Sequence, residues 1–155
     1  MPTPRANPRG SQPRELFGFT LGQLARMWRV EIDRRLSPYG LTEARWMTLL
    51  HLSRIEGPVT QRALAEVVSV QGPTLVRTLD WLEGRGFIER QRLAGDRRAK
   101  SLHLTERAAP TLERIHSVVE GLRAEILSGV DDTELESCLR TFRKIAAHLG
   151  GDPWT

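Results

Sequence analysis

The densest chemistry in the sequence lies between Arg85 and Lys100. Arg85, Arg90, Arg92, Arg97, Arg98 and Lys100 are offset there only by Glu89 and Asp96. Arginines gathered at the tip of a turn suit a narrow polyanionic groove, and the DNA minor groove attracts guanidinium groups by its negative potential. Asp96 stands two residues before Arg98 and can accept a bidentate hydrogen bond that sets that arginine's orientation. A second set lies just upstream. Pro73 opens a helical stretch on which Gln71, Thr74 and Arg77 occupy the N-terminal half. Arg77 is suited to donating two hydrogen bonds to the O6 and N7 edge of guanine, with a phosphate contact as the simpler use of its charge.

Catalytic chemistry finds no comparable footing. His51, His103, His116 and His148 are isolated, without metal-ligand spacing between them. No glycine loop has the spacing of a phosphate cradle. Cys138 is the single cysteine, so an internal disulfide is excluded and a reducing compartment, the cytoplasm, is expected. It stands without an activating base and reads as a small core or interface residue, with redox sensing as the alternative. Neither an enzyme activity nor a metal or cofactor is expected.

The bulk properties are permissive. The chain has 155 residues, with 23 Lys and Arg against 19 Asp and Glu, for a net charge of +4. That excess suits a polyanionic partner, yet it also fits ordinary proteins. Mean hydropathy is -0.36, and no apolar run reaches the roughly 18 to 20 residues of a membrane span. Residues 1–14 alternate Pro2, Pro4, Pro8 and Pro13 with Arg5, Arg9 and Arg14, without an acid. They read as a mobile arm, or as one that touches DNA phosphate.

The elements that must position these side chains follow from periodicity. Leu21, Leu24, Trp28, Ile32 and Leu36 repeat at helical spacing over residues 15–36, before Pro38 and Gly40. Thr42 is placed to cap a second helix carrying Trp46, Leu49 and Leu50. Thr60 is placed to cap a third over 61–68, with Ala63, Leu64 and Val67 on one face. A fourth covers 71–84, with Leu75, Val76, Leu79 and Leu82 expected inside and Pro73 tolerated in the first turn. The pattern then shifts towards period two, predicting strands over 87–93 and 100–104 around a turn at 94–96. Two long helices finish the chain, one carrying Leu112, Ile115, Val119, Leu122 and Ile126, the other Leu135, Leu139, Phe142, Ala146 and Leu149. Asp131 and Glu134 have the spacing of a capping box. The predicted fold is mostly α with a small β-hairpin, an α+β winged helix-turn-helix. Three long apolar-faced helices exceed what so small a lobe needs for its own core, so they are expected to build a homodimer interface.

The motifs PTLVRTLDWLEGRGFIER at 73–90, GDRRAK at 95–100 and LTERA at 104–108 resemble the MarR family, and its SlyA branch in particular. The likeness extends upstream through LARMWR at 24–29, Leu41, Thr42 and Trp46, and downstream to Glu125, covering about residues 18–149. The resemblance implies a single domain over 15–155, with a DNA-binding lobe at about 42–104 and dimerisation helices at 15–38 and 105–149. It implies a regulator that binds palindromic double-stranded DNA as a homodimer, with the fourth helix in the major groove and the hairpin in the minor groove. By position, Arg98 matches the family's minor-groove arginine, Asp96 its orienting acid, and Arg77 a recognition-helix arginine. Members often sense small phenolic or aromatic carboxylates, for which Arg26, Trp46 and Thr78 are the matching residues, although core packing also accounts for Trp46. Leu50 stands where the branch has a pocket histidine. The competing function is an architectural DNA-binding protein of low sequence specificity.

Overall fold

The computed structural model describes residues 12–68, 72–93 and 96–151, with residues 93 and 96–99 by backbone alone. The arm, apart from its last residues, and the expected break at 69–70 therefore lie outside the described residues. Among those described are six α-helices and one three-stranded antiparallel sheet. The chain divides into two compact units, residues 1–118 and 119–155, the boundary falling inside a helix.

In the first unit, α1 runs Pro13–Leu36. It begins two residues earlier than its apolar stripe suggests, because Pro13 stands in the first turn, where a missing N–H costs nothing. A 3-10 turn at Ser37–Tyr39 leads to Gly40, whose φ of 73° belongs to the left-handed region and stops the helix. Helix α2 spans Glu43–Leu52. Thr42 does occupy its N-cap position, but its hydroxyl makes no capping bond; its carbonyl accepts the first turn's Arg45 and Trp46 amides instead.

Strand β1, Val59–Thr60, was not foreseen, being too short to carry a period. It runs directly into α3, Gln61–Val68, whose first turn is capped as expected: Thr60 Oγ1 accepts from the Ala63 amide at 3.1 Å. The inward face of α3 is Leu64 and Val68, while Ala63 is exposed and Val67 is 47% exposed. The stripe is thus rotated from the one expected, because Val59 and β3 lie alongside and draw in the later residues. Helix α4 spans Gly72–Gly84 and buries Leu75, Thr78, Leu79 and Leu82. Val76, expected inside, is 40% exposed.

Gly86, at φ 71°, turns the chain out of α4, and the Gly86 and Phe87 amides donate back to Glu83 and Leu82 carbonyls. A Cβ on Gly86 would meet the flexible Arg107 side chain at 3.3 Å, so it is the positive φ that favours glycine here. Strand β2, Ile88–Leu93, pairs with β3, Asp96–Leu104, with Arg90 opposite Leu102 and Arg92 opposite Lys100. Asp96 is therefore strand rather than turn, and β3 starts four residues before the expected Lys100. An irregularity at Arg92/Leu93 lets the ladder continue to that point. The sheet order is β1-β3-β2. Leu36, Leu41, Trp46, Leu49, Leu64, Leu75, Leu79, Leu82, Ile88 and Leu102 form the apolar core. Leu102 and Ser101 are both buried although they point to opposite faces, which shows that β3 is covered on both sides.

A 3-10 turn at Glu106–Ala108 precedes α5, Ala109–Ile126. Pro110 thus falls in the first turn of α5: it delays the helix instead of kinking it. Ile115, Val119 and Leu122 are buried, whereas Ile126 is 42% exposed. In the second unit, α6 covers Asp132–His148, and Asp131 and Glu134 make the reciprocal capping box. No residue of α6 is buried. Cys138 is exposed, so the core alternative for it falls.

Candidate nucleic-acid interface

Helices α3 and α4 and the β2–β3 hairpin belong to one unit, so the two basic sets of the sequence share a scaffold. The three buried leucines of α4 anchor one face against the core and turn the other outward. On that outward face Pro73 and Arg77 are exposed, and Thr74 is half-buried at its edge. Gln71 lies outside the described residues. The backbones of Asp96, Arg97 and Arg98 lie in β3 near the hairpin tip, while their side chains lie outside the described residues. Arg92 and Lys100 are exposed opposite one another on the paired strands.

Arg90 behaves differently from the rest of the basic run. Its side chain is only 17% exposed and reaches from β2 to α4. Nη2 donates to Asp80 Oδ1 at 2.7 Å and Nη1 donates to Glu83 Oε2. Burial works against its charge, but Asp80 and Glu83 outweigh that and hold Arg90 above the usual arginine range. One arginine thus fastens the hairpin to α4 and occupies both carboxylates of that helix. The signal was readable in retrospect: Asp80 and Glu83 are spaced three apart on one helix face, with an arginine two residues into the following strand.

A second fastening lies on the flank of α4. The Arg45 guanidinium sits 3.8 Å from the Trp81 ring centroid while Nη1 donates to the Gly40 carbonyl at 2.7 Å. Arg85 lies 5.0 Å from the same ring, and Phe87 meets it edge-on at 6.2 Å. Trp81 therefore joins α2, α4 and the start of β2.

The expected ligand residues differ in their settings. Trp46 is 3% exposed and Thr78 is 6% exposed, both inside the lobe, whereas Arg26 is exposed on α1. The Trp46 indole N–H has no hydrogen-bond partner among the described residues. A groove of about 600 Å³ is lined by Arg29, Glu43, Ala44, Met47, Val67, Val68 and Thr74. Arg29 Nε and Glu43 Oε1 are paired across it at 3.0 Å. Arg29 lies one helical turn beyond Arg26, and sequence reasoning missed it for want of any cue to which face of α1 meets α2.

The histidines are dispersed, and among the described residues no three potential ligands could hold a metal. His51 is pushed below its ordinary value by burial and by the Arg54 charge, and His103 Nε2 lies 2.8 Å from Ser101 Oγ.

The sequence model of the MarR family matches residues 39–99. The solved transcriptional regulator PA3341 is 45% identical, with a TM-score of 0.80 over 86% of this chain and 98% of that one. The solved MarR is 30% identical, with a TM-score of 0.70 over 86% of this chain and 96% of that one. The chain belongs to the MarR family. As a MarR-family protein it is a transcriptional regulator of the winged-helix type, not an enzyme, and binds DNA. A further MarR-like structure is CouR from Rhodococcus jostii RHA1, solved bound to p-coumaroyl-CoA. It is 25% identical, with a TM-score of 0.71 over 83% of this chain and 90% of that one. Among the described residues, no helix is long and apolar enough to cross a membrane.

Proposed function

We propose that this MarR-family chain, read as SlyA-like, is a homodimer that recognises a palindromic double-stranded operator. The lobe at about 42–104 makes the contact and the helices at 15–38 and 105–149 join the copies. Helix α4 enters the major groove with Gln71, Pro73, Thr74 and Arg77. The hairpin enters the flanking minor groove with Arg97 and Arg98, Asp96 orienting the latter. The observation that carries this reading is the fastening of the hairpin to α4 through Arg90, which lets one lobe present two reading elements in fixed relation. Dimerisation is supported by apolar side chains left open: Phe19, Leu24, Met27 and Val30 on α1 are at least 54% exposed, and Leu139 on α6 is 38% exposed. Open apolar faces of this kind are what a partner subunit covers.

Release by a small aromatic carboxylate is the proposed regulation. The groove supports it better than the trio Arg26, Trp46 and Thr78. It has the volume of a small-molecule site, an apolar wall of Met47, Val67 and Val68, and Arg29, whose partner Glu43 a ligand carboxylate would displace. CouR, a similar structure solved with p-coumaroyl-CoA, lends a precedent for an aromatic acyl ligand. Thr74 lies on the groove wall and in the first turn of α4, so an occupant there bears on the reading helix directly.

The test is competition binding at fixed salt between a duplex selected from a random pool and unselected duplex. A preference of about 4 to 10 kcal/mol is expected of a specific regulator. Equal affinity would leave the architectural, low-specificity reading in its place.

A further inference from the structure

Helix α4 carries four large aliphatic side chains, and only one is turned away from the core. Leu75, Leu79 and Leu82 are at most 1% exposed, while Val76 is 40% exposed. Val76 stands beside Arg77 and one turn beyond Pro73, both exposed. One further turn along, Asp80 is drawn sideways into its bond with Arg90, as is Glu83. Val76 is thereby an exposed aliphatic side chain beside a guanidinium, with the helix's own two carboxylates, Asp80 and Glu83, both ion-paired to Arg90.

Val76 is far less covered than the three leucines of its helix. A β-branched residue at an exposed helix position is a poorer helix former than alanine. It adds no core contact of the kind its leucine neighbours make. What it does offer is a rigid pair of methyl groups, since valine holds one preferred rotamer in a helix. In the major groove the apolar mark of a base pair is the C5-methyl of thymine, read by apolar side chains.

Resting on the reading of α4 as the major-groove element, we propose that Val76 is a specificity-determining residue that reads a thymine methyl next to the base addressed by Arg77. The pair then reads two adjacent features of the half-site by different chemistry: Arg77 by hydrogen bonds, Val76 by apolar contact. The half-site preference predicted is a thymine at a fixed offset from the Arg77-contacted base, on either strand.

The experiment uses the full chain and a duplex selected by it from a random pool. Each thymine of one half-site is replaced in turn by deoxyuridine, which removes the methyl and leaves base pairing intact. The wild-type protein should lose about fourfold in affinity at one position, the worth of one buried methyl-sized group. Val76→Ala should bind the thymine duplex several-fold more weakly and show no further loss with deoxyuridine at that position. Val76→Ile, which keeps the apolar surface, should retain the sensitivity. Val76→Ala replaces an exposed residue by a better helix former, so its folding is not at risk. A selected duplex in which no thymine methyl matters more to the wild-type protein than to Val76→Ala overturns this inference alone. A pool that yields no preferred duplex overturns the regulator reading, and this inference with it.

Discussion

Replacing Arg90 by alanine should damage DNA binding without touching DNA. The wild-type side chain is 17% exposed and holds two carboxylates, of which Asp80 is 59% and Glu83 40% exposed. Both acids keep water on one side, so the ion pairs are partly screened, and their loss together is worth about 1–2 kcal/mol of stability. For a chain of this length that is a fall of about 2–8 °C in Tm. The second effect is electrostatic. Both carboxylates are already present in the wild type, so the change is the loss of one positive charge, worth about 0.5 kcal/mol against a phosphate about 8 Å away in a water-like dielectric. That lowers affinity about twofold at low salt, and less as screening rises. Thermal melting gives the first quantity, and fluorescence anisotropy with the selected duplex at two salt concentrations gives the second. Adding Asp80→Asn to Arg90→Ala should recover part of the binding loss, and the double-mutant cycle should show coupling of about 1 kcal/mol in stability. A variant with unchanged Tm and unchanged low-salt affinity, or a cycle with no coupling, would refute the view that Arg90 fastens the hairpin and offsets part of the helix's negative charge.

Arg98→Ala should weaken specific binding by about 1–3 kcal/mol and reduce the salt slope by about one phosphate contact; an unchanged affinity and slope would take the hairpin out of the groove. Leu139→Glu should lower the dimer fraction in light scattering while leaving helix content unchanged, because Leu139 is 38% exposed within the chain. Leu122→Glu is expected to unfold the subunit instead, since Leu122 is 1% exposed. Bonds from Arg34 and Arg35 hold the Glu31 carboxyl at about 2, below its ordinary 4.5. A lowered carboxylate value means that its contribution is complete above pH 4.5 and is lost as pH falls towards 2. The Tm difference between the wild-type chain and Glu31→Gln should therefore be constant above that window and shrink within it; a difference independent of pH would rule out the Glu31 linkage.

Where periodicity was strong, the sequence alone sufficed. The cap from Thr60, the span of α3 and the reciprocal bonds of Asp131 and Glu134 all follow from local chemistry, and the structure has each of them. What was misread depends on neighbours. The inward faces of α3 and α4 differ by a rotation from the simple apolar stripe, because Val67 and Val76 are apolar yet lie off the packed side. Strand β1 is two residues long and exists only through its pairing with Leu102 and Ser101. Arg90 looked like one more member of a basic run, since composition does not distinguish an arginine facing solvent from one facing a helix. The groove residues Arg29, Glu43 and Met47 come from separate elements, and no motif links them. The family motifs around Arg77 and Arg98 imply roles for them but carry nothing about side-chain geometry.

Thr60 has two duties in one residue. Its backbone pairs with Ser101 in the sheet, and its hydroxyl closes the first turn of α3, which begins at the very next residue. No spacer separates strand from helix, so one inserted or deleted residue would either shift the strand register and reverse its faces or take the hydroxyl out of reach of the Ala63 amide. Lineages of this protein should therefore vary in length elsewhere, in the turn before Val59 and at the hairpin tip, while this junction stays invariant in length. A splice or circular permutation at Thr60 would uncouple the helix pair from the sheet even if every core residue were kept.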